Sequence, residues 1–434
     1  MKPHFIIKLK NAIVPRPPSW EEILKNTSLS SPVSITNNID HLLNSISLSV
    51  IVTSEYNFKL GNRWSADELV SGLDRIYRII LKDSFEIPEH LMERLSNLPE
   101  VEYARPGHIG YTKLPAHYAA LSQTSRLEKG HELIHLKEAQ FYSKGNAAIK
   151  IAVLDTGIDM QHPEIEHAIV QGKDFVNIIE GAKEFIGDFL DFDDSPDDEV
   201  GHGSHVAGIL VSAGKKMPLG IVPDCKIMPV RVLGAMKNGE EIVGAGLIDN
   251  INTGIKWAED NGANIINMSL GIKREGGGLP HEEVINYALQ KGVTVVAASG
   301  NDGTSDKYYP GALKGVVAVG AVNEKDEIAE FSTFGAHVSF VAPGTNIYSS
   351  YKMHEYAFSS GTSQASPFVT GGVALLKSYA HENGKDLDDA QIKYILKNTA
   401  DKPDGHLRND KWGYGRINLI DAIKLLNYKL NILN

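Results

Sequence analysis

Three separated stretches of the sequence carry side chains that transfer protons and attack carbonyl carbons. Asp155 ends the apolar run "IAVLD", His202 lies between two glycines in "GHGSHVAG", and Ser363 stands in the hydroxyl-rich "SGTSQASP". A serine hydroxyl becomes a strong nucleophile when an adjacent base removes its proton, and a carboxylate holds that base in the productive orientation. If the fold brings these three residues together, they predict acyl-transfer chemistry.

The hydroxyl groups of "SGTSQASP" exceed what a helix start requires. Ser360 or Thr362 can cap the apolar helix that follows, and Ser366, before a proline, is explained by packing. The surplus hydroxyl is that of Ser363. Backbone N–H groups at a helix start have no intrahelical partner, so they would stabilise an oxyanion formed there. We therefore interpret Ser363 as the nucleophile.

Asp155 and His202 also have ordinary structural interpretations. An aspartate that follows a strand is as often a plain turn residue, and a histidine can belong to a polar first turn of a helix. His205 follows His202 by three residues, but a zinc site would need a third ligand and usually an i, i+4 pair. We prefer an imidazole at a helix start, where the flanking glycines let a substrate backbone approach.

From about residue 146 onward, strand-like and helical patterns alternate. The strands are near-continuously apolar, as buried parallel strands are: "AIKIAVLD", "CKIMPVRVL", "ANIINMSL", "VTVVAAS" and "GVVAVGAV". Helical patterns such as "GLIDNINTGIKWAEDN" and "HEEVINYALQKG" lie between them. The alternation predicts an α/β fold with a doubly wound parallel sheet, whose ligands bind beyond the carboxyl ends of the strands.

The first part of the chain has a different pattern. "HFIIKLK", "SLSVIVTS", "RIYRIILK" and "VEYARP" resemble strands, and "IPEHLMERLSNLP" resembles a helix. We expect a small α+β domain over residues 1–110, a linker over 111–135 and the α/β domain over 136–434.

The composition and the apolar runs of the sequence limit the kinds of partner and the location that we expect for the protein. The net charge of −11, from 43 basic and 54 acidic residues, argues against nucleic acid. The N-terminal apolar run is too short for a signal peptide, and we find no run of about 18 apolar residues that would span a membrane. We expect a soluble, cytoplasmic protein, with leaderless export left open. Cys225, the single cysteine, lies among apolar residues and is expected to be a buried thiol rather than a nucleophile.

Six ordered motifs resemble those of the subtilase family of serine peptidases: "VLDTGID", "GHGSHVAG", "NMSLG", "AASGNDG", "GTSQASP" and "GYGRIN". The order Asp, His, Ser is that of subtilisin. The resemblance implies a subtilisin-like fold and a serine endopeptidase with an Asp155, His202, Ser363 triad. It implies that the Asn301 side chain and the Ser363 N–H bind the oxyanion.

The resemblance also implies a polypeptide substrate bound as an added strand. Its main chain would lie between two segments, and its side chain next to the cleaved bond would enter a pocket near Asp302 and Tyr308. The residues implied are Ser269, Leu270 and Gly271 on one side, Gly244 and Gly246 on the other, and Ala298, Ser299 and Gly300 as a pocket wall.

No cofactor is required for this chemistry, and structural calcium is doubtful. Many subtilases hold calcium in the loop after the histidine helix, but here Lys215 and Lys216 occupy that loop, so we expect no site there. The acidic run "GDFLDFDDSPDDEV" has three interpretations: a solvated loop, a calcium site, or attraction for basic substrate residues. It contains Asp188, Asp191, Asp193, Asp194, Asp197, Asp198 and Glu199.

The N-terminal domain resembles a subtilase prodomain in "RLSNLPEVEYARP". Such domains are intramolecular chaperones and inhibitors, and the resemblance implies autoprocessing between Arg105 and about Lys129. The domain could instead stay attached and select substrates.

The breadth of cleavage is open, from general degradation to maturation of one precursor by leader removal. Gln364 stands where the family more often has methionine, and we expect a small effect. The alternative function is a catalytically silent peptide-binding scaffold on the same fold.

Overall fold

The computed structural model describes residues 2–26, 34–59, 61–112, 118–119, 125–179, 181–190, 193–274 and 276–432. The N-terminal part, up to Pro106, contains an antiparallel four-stranded sheet in the order β2-β3-β1-β4. The elements are β1 (His4–Leu9), α1 (Trp20–Lys25), α2 (Asn37–Ser45), β2 (Val50–Ser54), α3 (Ala66–Ser71), β3 (Ile76–Leu81), α4 (Leu91–Ser96) and β4 (Val101–Pro106).

The two faces of this small sheet pack against different partners. Phe5 and Ile7 of β1 contact a cluster that includes Leu42 of α2 and Leu95 of α4. Ile6, which alternates with them, belongs to a cluster formed mainly by the larger domain. Because side chains alternate along a strand, one face closes the small domain's own core and the other docks on its neighbour.

The larger domain is built on a seven-stranded parallel sheet in the order β16-β15-β14-β13-β7-β10-β8. This confirms the predicted α/β fold with a doubly wound sheet. The strands are β7 (Lys150–Asp155), β8 (Lys173–Asp174), β10 (Lys226–Arg231), β13 (Ile265–Met268), β14 (Thr294–Ala298), β15 (Val317–Val322) and β16 (Val338–Pro343).

Helices cover both faces of this sheet. On one face, Ile151 and Val153 of β7 join the cluster of α7 (His202–Val211) and α10 (Thr362–Glu382). On the other, the alternate residues Ala152 and Leu154 join the cluster of α8 (Ile248–Asp260) and α9 (Glu282–Gln290). Burial on both faces explains why the parallel strands are apolar at almost every position.

Two small antiparallel sheets flank the main one, in the orders β5-β12-β11-β9 and β17-β18-β6. Their strands are β5 (Ile109–Thr112), β6 (Tyr118–Ala119), β9 (Phe185–Ile186), β11 (Gly234–Asn238), β12 (Glu241–Leu247), β17 (Ile347–Ser350) and β18 (Tyr356–Ser359). The remaining helices are α5 (Ser125–Leu133), α6 (Leu136–Ala139), α11 (Asp389–Thr399) and α12 (Leu419–Ile432).

The segment expected to be a linker therefore carries ordered elements, since β5 and β6 each add an edge strand to the larger domain and α5 follows. Residues 113–117 and 120–124 lie outside the described part of the chain. Within the described ranges, none of the helices has the length and apolar character needed to cross a membrane.

Candidate active site

The carboxyl end of β7 and the start of α7 bring together two of the predicted residues. Asp155 is the last residue of β7 and His202 is the first residue of α7. His202 Nδ1 lies 2.7 Å from Asp155 Oδ1, and both side chains are almost completely buried. Thr156 N–H also donates to Asp155 Oδ1 at 2.8 Å. The contact with Asp155 fixes the orientation of the His202 imidazole and leaves its other ring nitrogen, Nε2, available.

The carboxylates around His202 favour its protonated form. Burial lowers the pKa of the imidazole, but the charge of Asp155, its hydrogen bond and the charge of Asp198 together outweigh burial. The pKa of His202 is therefore raised above that of an exposed histidine. A base with a raised pKa accepts a proton from a hydroxyl more readily.

Asp198 is a buried carboxylate close to His202 that the sequence analysis did not separate from the rest of its acidic run. Its carboxylate is buried and accepts hydrogen bonds from Thr156 Oγ1 at 2.7 Å and from the Gly201 N–H at 2.7 Å. Ser204 donates to it from both its N–H and its hydroxyl. Asp198 therefore ties the turn after β7 to the first turn of α7.

Ser363 lies in the first turn of α10, as predicted, but the predicted cap is wrong. The N-cap residue is Gly361, which supplies no side-chain cap. Ser360 Oγ instead accepts the Asn346 N–H at 2.8 Å. Thr362 Oγ1 bonds to Gly300 and Asn301. The hydroxyls that could have capped the helix instead join its start to neighbouring loops.

The hydroxyl of Ser363 donates to the backbone oxygen of Ser269 at 3.1 Å. His202 Nε2 is buried and has no hydrogen-bond partner among the described residues. Asp155 is therefore hydrogen-bonded to His202, whereas the Ser363 hydroxyl is hydrogen-bonded to the carbonyl of Ser269.

Asn301 follows β14 and lines the same cleft as Ser363. Its Oδ1 accepts the Thr362 N–H at 2.8 Å and the Thr362 hydroxyl at 2.9 Å. With the amide oxygen engaged in this way, the Nδ2 donor is the end of the side chain available to an oxygen in the cleft.

Two of the residues expected to bind the substrate main chain, Gly244 and Gly246, are paired with a strand of this chain itself. β5 pairs with β12 in antiparallel register, with Gly110 opposite Gly246 and Thr112 opposite Gly244. Thr112 Oγ1 donates to Ser269 O at 3.4 Å. Leu270 and Gly271 lie beside the strand in the wall of the cleft.

A cavity of about 350 Å³ adjoins Ser363. Ala298 and Gly300, two of the three predicted wall residues, line it. The third, Ser299, is fully buried and its hydroxyl donates to Thr333 O at 2.9 Å. Asp302 and Tyr308 also line the cavity, together with Lys273, which the sequence analysis had not singled out.

The model of the subtilase family matches residues 146–415. A thermophilic serine proteinase of Bacillus sp. (strain AK1) is 32% identical over 94% of this chain and 95% of its own length. The chain belongs to the subtilase family of serine proteases.

Further relatives cover less of the chain. Thermitase of Thermoactinomyces vulgaris is 34% identical over 69% of this subtilase and 97% of its own length. The solved structure of the prenylagaramide maturation protease PagA is similar with a TM-score of 0.55 and 28% identity. That match covers 67% of this chain and 98% of PagA. The similarity to the Bacillus proteinase extends through the N-terminal domain, whereas the match to the family model begins after it.

The loop where many subtilases bind calcium contains Lys215 and Lys216, which contact a carboxylate in this subtilase. Its carboxylate neighbour, Glu164, accepts the backbone N–H groups of Lys215 and Lys216 and the hydroxyls of Ser212 and Tyr356. These hydrogen bonds engage both oxygens of the Glu164 carboxylate.

The acidic run of this subtilase divides into residues with separate roles. The buried guanidinium of Arg231 pairs with Glu199 at 2.8 Å and with Asp188 at 3.5 Å, and it also pairs with Asp174. Asp193, Asp194 and Asp197 are exposed, and Asp191 lies outside the described residues. Among the residues that the structure describes, no group of three or more His, Cys, Asp or Glu side chains is arranged to hold a metal ion.

Two other sequence-based expectations concern residues away from the cleft surface. Cys225 is fully buried, and burial raises the pKa of its thiol to about 11, as expected for an unreactive cysteine. His205 is buried, with Nε2 3.1 Å from Ile347 O and 3.2 Å from Ala357 O. The second histidine of the motif thus holds α7 to the β17–β18 hairpin.

Proposed function

We propose that this subtilase is an endopeptidase that hydrolyses peptide bonds through an acyl-enzyme. Ser363 is the nucleophile, His202 removes its proton and later protonates the leaving amine, and Asp155 orients the imidazole. The observation that carries the proposal is the buried 2.7 Å contact between His202 Nδ1 and Asp155 Oδ1. Because that contact occupies Nδ1, Nε2 is the ring nitrogen that accepts the proton.

Ser363 has to turn before it reacts. Its hydroxyl donates to Ser269 O in the structure, and rotation about the Cα–Cβ bond moves it to another staggered position. We propose that this rotation directs the hydroxyl to His202 Nε2, a buried nitrogen without a hydrogen-bond partner in the described part of the chain.

Asn301 Nδ2 and the Ser363 N–H are proposed to bind the oxyanion of the tetrahedral intermediate. Removal of a comparable asparagine in subtilisin, a relative in this family, costs about 2.7–4 kcal/mol of transition-state stabilisation. We carry over that magnitude: Asn301→Leu should lower kcat by roughly 10²–10³-fold and change KM little.

Labelling with a fluorophosphonate tests the proposal. The reagent should form one adduct on Ser363, and Ser363→Ala should remove it. A folded sample freed of its N-terminal domain that gives no adduct would favour the alternative, a silent peptide-binding scaffold.

We further propose that the N-terminal domain inhibits the cleft until the chain cuts itself. Support comes from β5, which occupies Gly244 and Gly246 and ends within reach of the carbonyl that accepts the Ser363 hydroxyl. β6 then pairs with β18, with Tyr118 opposite Phe358. Strands β5 and β6 hold the chain on either side of residues 113–117, as a bound substrate would be held. We therefore place the cut within residues 113–117.

Intact masses of the wild type and Ser363→Ala test the self-cleavage. The wild type should give an N-terminal fragment that ends between residues 112 and 117, and Ser363→Ala should stay whole. Two full-length proteins would reject autoprocessing and favour a domain that remains attached.

Narrow selectivity, such as precursor or leader-peptide maturation, is the finer proposal. The similarity to the PagA maturation protease supports it, as does the need for an extended segment that can pair with β12. Cleavage of a diverse peptide library measures it directly, because a general degrading enzyme would cut most members.

A further inference from the structure

Ser366 and Thr370 lie one turn apart in α10 and direct their hydroxyls to the same acceptor. Ser366 Oγ donates to Asn267 Oδ1 at 2.9 Å, and Thr370 Oγ1 donates to the same oxygen at 2.8 Å. Residues four apart lie on one face of a helix, so a single amide oxygen can accept from both. Asn267 belongs to β13, the central strand of the parallel sheet. Ser366 therefore has a specific partner in addition to the packing expected from the sequence.

The amide nitrogen of Asn267 continues the hydrogen bonds toward Ser363. Asn267 Nδ2 donates to Ser269 Oγ at 3.1 Å, and Ser269 Oγ donates to the backbone oxygen of Ser363 at 2.9 Å. Because a carbonyl oxygen can only accept, Ser269 uses its hydrogen there and receives the amide N–H of Asn267. Hydrogen bonds that follow one another in this way polarise and strengthen each other. We call Asn267, Ser269, Ser366 and Thr370 the Asn267 network.

Ser363 and Ser269 are joined by two hydrogen bonds of opposite direction. The Ser363 hydroxyl donates to Ser269 O at 3.1 Å, whereas the Ser269 hydroxyl donates to Ser363 O. When the Ser363 side chain rotates toward His202, as proposed above, the first bond breaks and the second remains. The second bond acts on the backbone of Ser363, whose N–H is proposed to bind the oxyanion. The network can thus hold this residue in place while its side chain moves.

The four members of the Asn267 network are fully buried next to apolar side chains. Ile265 lies two residues before Asn267 in β13, on the same face of the sheet, and joins the apolar cluster of Phe368 in α10. Apolar contacts alone would hold the helix to the sheet without the cost of burying polar groups. Hydrogen bonds differ from apolar contacts because they form only at defined distances and angles. The network therefore specifies where along β13 the helix sits.

We propose that Asn267 is a positioning residue for the hydrolysis. Its network fixes α10 on β13 and thereby sets the placement of Ser363 relative to His202 and Asn301. The inference rests on the proposed endopeptidase function and adds a residue that acts through Ser363. Asn267 is not among the described residues that line the cleft, so its contribution to substrate binding should be small.

The first test replaces Asn267 with leucine, which has a similar volume and no hydrogen-bonding side chain. The enzyme is the full chain after any self-processing. Its kcat for a fluorogenic peptide should fall by roughly 10–100-fold, because a small displacement of a reacting group is costly. Its KM should change by less than about threefold, and labelling of Ser363 by fluorophosphonate should slow together with kcat. Asn398→Leu, the same change at an exposed residue of α11, is the matched control and should alter none of these values.

A triple variant, Asn267→Leu with Ser366→Ala and Thr370→Val, separates positioning from stability. In Asn267→Leu two buried hydroxyls lose their acceptor, so the urea midpoint should fall. In the triple variant these hydroxyls are absent and the midpoint should recover, because replacing all partners with apolar groups is nearly neutral. Its kcat should stay low, since the directional bonds are still missing. The midpoints are measured in the Ser363→Ala background, which avoids self-digestion.

Val373→Ala supplies a matched loss of stability in the same helix. Val373 is fully buried in α10, and its truncation lowers the urea midpoint by leaving a cavity while the Asn267 network stays intact. The kcat of this variant should stay within about twofold of the wild type, because Ser363 remains positioned.

Two results would overturn the inference. One is an Asn267→Leu enzyme with the wild-type kcat. The other is a kcat that follows the urea midpoint, either by recovering in the triple variant or by falling equally in Val373→Ala.

Thr370 decides the question if Asn267→Leu does not fold. Thr370→Val keeps the shape of the side chain but removes its hydroxyl, and it should lower kcat by about threefold or more. Thr370→Ser keeps the hydroxyl and should retain the wild-type kcat. Equal kcat values for these two variants would reject the inference. A wild type that neither reacts with fluorophosphonate nor cleaves any peptide would instead reject the proposed function.

Discussion

Ser204 donates two hydrogen bonds to Oδ2 of Asp198, from its N–H at 2.9 Å and from its hydroxyl at 2.7 Å. The other carboxylate oxygen accepts the Thr156 hydroxyl at 2.7 Å. Ser204 belongs to the same helical turn as His202, and Thr156 directly follows Asp155. One buried carboxylate therefore joins the two segments that carry Asp155 and His202, which makes Asp198 a positioning residue in the proposed mechanism.

Replacing Asp198 with asparagine should lower kcat by roughly 10–100-fold, because small displacements of a catalytic group are costly. An amide cannot accept hydrogen bonds from Ser204 and Thr156 with both of its ends. Since the charge of Asp198 also raises the pKa of His202, the acidic limb of the kcat–pH profile should move to lower pH.

Asp197→Asn is the matched control, because this neighbouring carboxylate is exposed and accepts the Ser195 hydroxyl at 2.8 Å. It should leave both kcat and the pH profile unchanged. If Asp198→Asn kept the wild-type profile, its role would be purely structural.

The wild-type kcat/KM should rise with pH through an ionisation above about 6.5, the value of an exposed histidine. His202 acts as a base only when neutral, and its raised pKa keeps it protonated to higher pH. Asp155→Asn should shift that ionisation downward and lower kcat by roughly 10⁴-fold, the loss known for the equivalent change in another serine protease. Initial rates across pH 5–9 measure both effects. An acidic limb below pH 6 in the wild type would contradict the assignment.

Replacing Gln364 with methionine should stabilise the protein. Gln364 is fully buried, and neither end of its amide has a hydrogen-bond partner among the described residues. A buried polar group without a partner costs about 1–3 kcal/mol, and methionine fills a similar volume without that cost. The urea midpoint should therefore rise when the change is made in the inactive Ser363→Ala protein, which avoids self-digestion.

The same substitution at Gln171, which is exposed, serves as the control and should change the midpoint little. A lower urea midpoint for Gln364→Met would show that the Gln364 amide makes a contact that stabilises the protein by more than the burial of the amide costs.

Docking of the N-terminal domain should weaken as the pH rises from about 5 to 8. Glu55 is buried at the interface, where Asn252 Nδ2 donates to it at 2.8 Å. Burial and the charge of Asp249 raise its pKa to about 7, and the positive charge of Arg105 only partly opposes them. An exposed glutamate titrates near 4.3, so the docked state binds this proton more tightly. The contribution of Glu55 to the stability of the docked state is complete below about pH 4 and is lost as the pH rises through about 7.

The first urea transition of the full-length Ser363→Ala protein, followed at pH 5 and pH 8, measures this effect. Glu55→Gln should narrow the difference between the two midpoints, whereas Glu86→Gln, an exposed residue of the same domain, should preserve it. An unchanged difference in Glu55→Gln would assign the pH dependence to other groups.

Several features of the molecule followed from local sequence. Near-continuous apolar strands between amphipathic helices predicted the doubly wound parallel sheet, because strands covered on both faces lack alternation. The same pattern placed Asp155 at the carboxyl end of a strand and Ser363 at the start of a helix, as the structure has them. The motifs were enough to identify the family, because their residue types and their order can be read directly from the sequence.

Other features depended on contacts between distant residues. Nothing in the acidic run distinguishes Asp198 from its neighbours, because its partner Thr156 lies 42 positions away. The predicted cap on α10 was wrong for the same reason, since Thr362 bonds to a loop 61 positions earlier. The pairing of β5 with β12 likewise has no signature in either strand.

The sequence by itself determined which chemical groups this protein has and on which elements they stand. Only the tertiary structure decided which of them meet, and that the chain's own strand β5 pairs with β12 at Gly244 and Gly246. Hydrogen bonds and ion pairs form between whichever groups the packed elements bring within about 3 Å, and that proximity is not encoded in local periodicity.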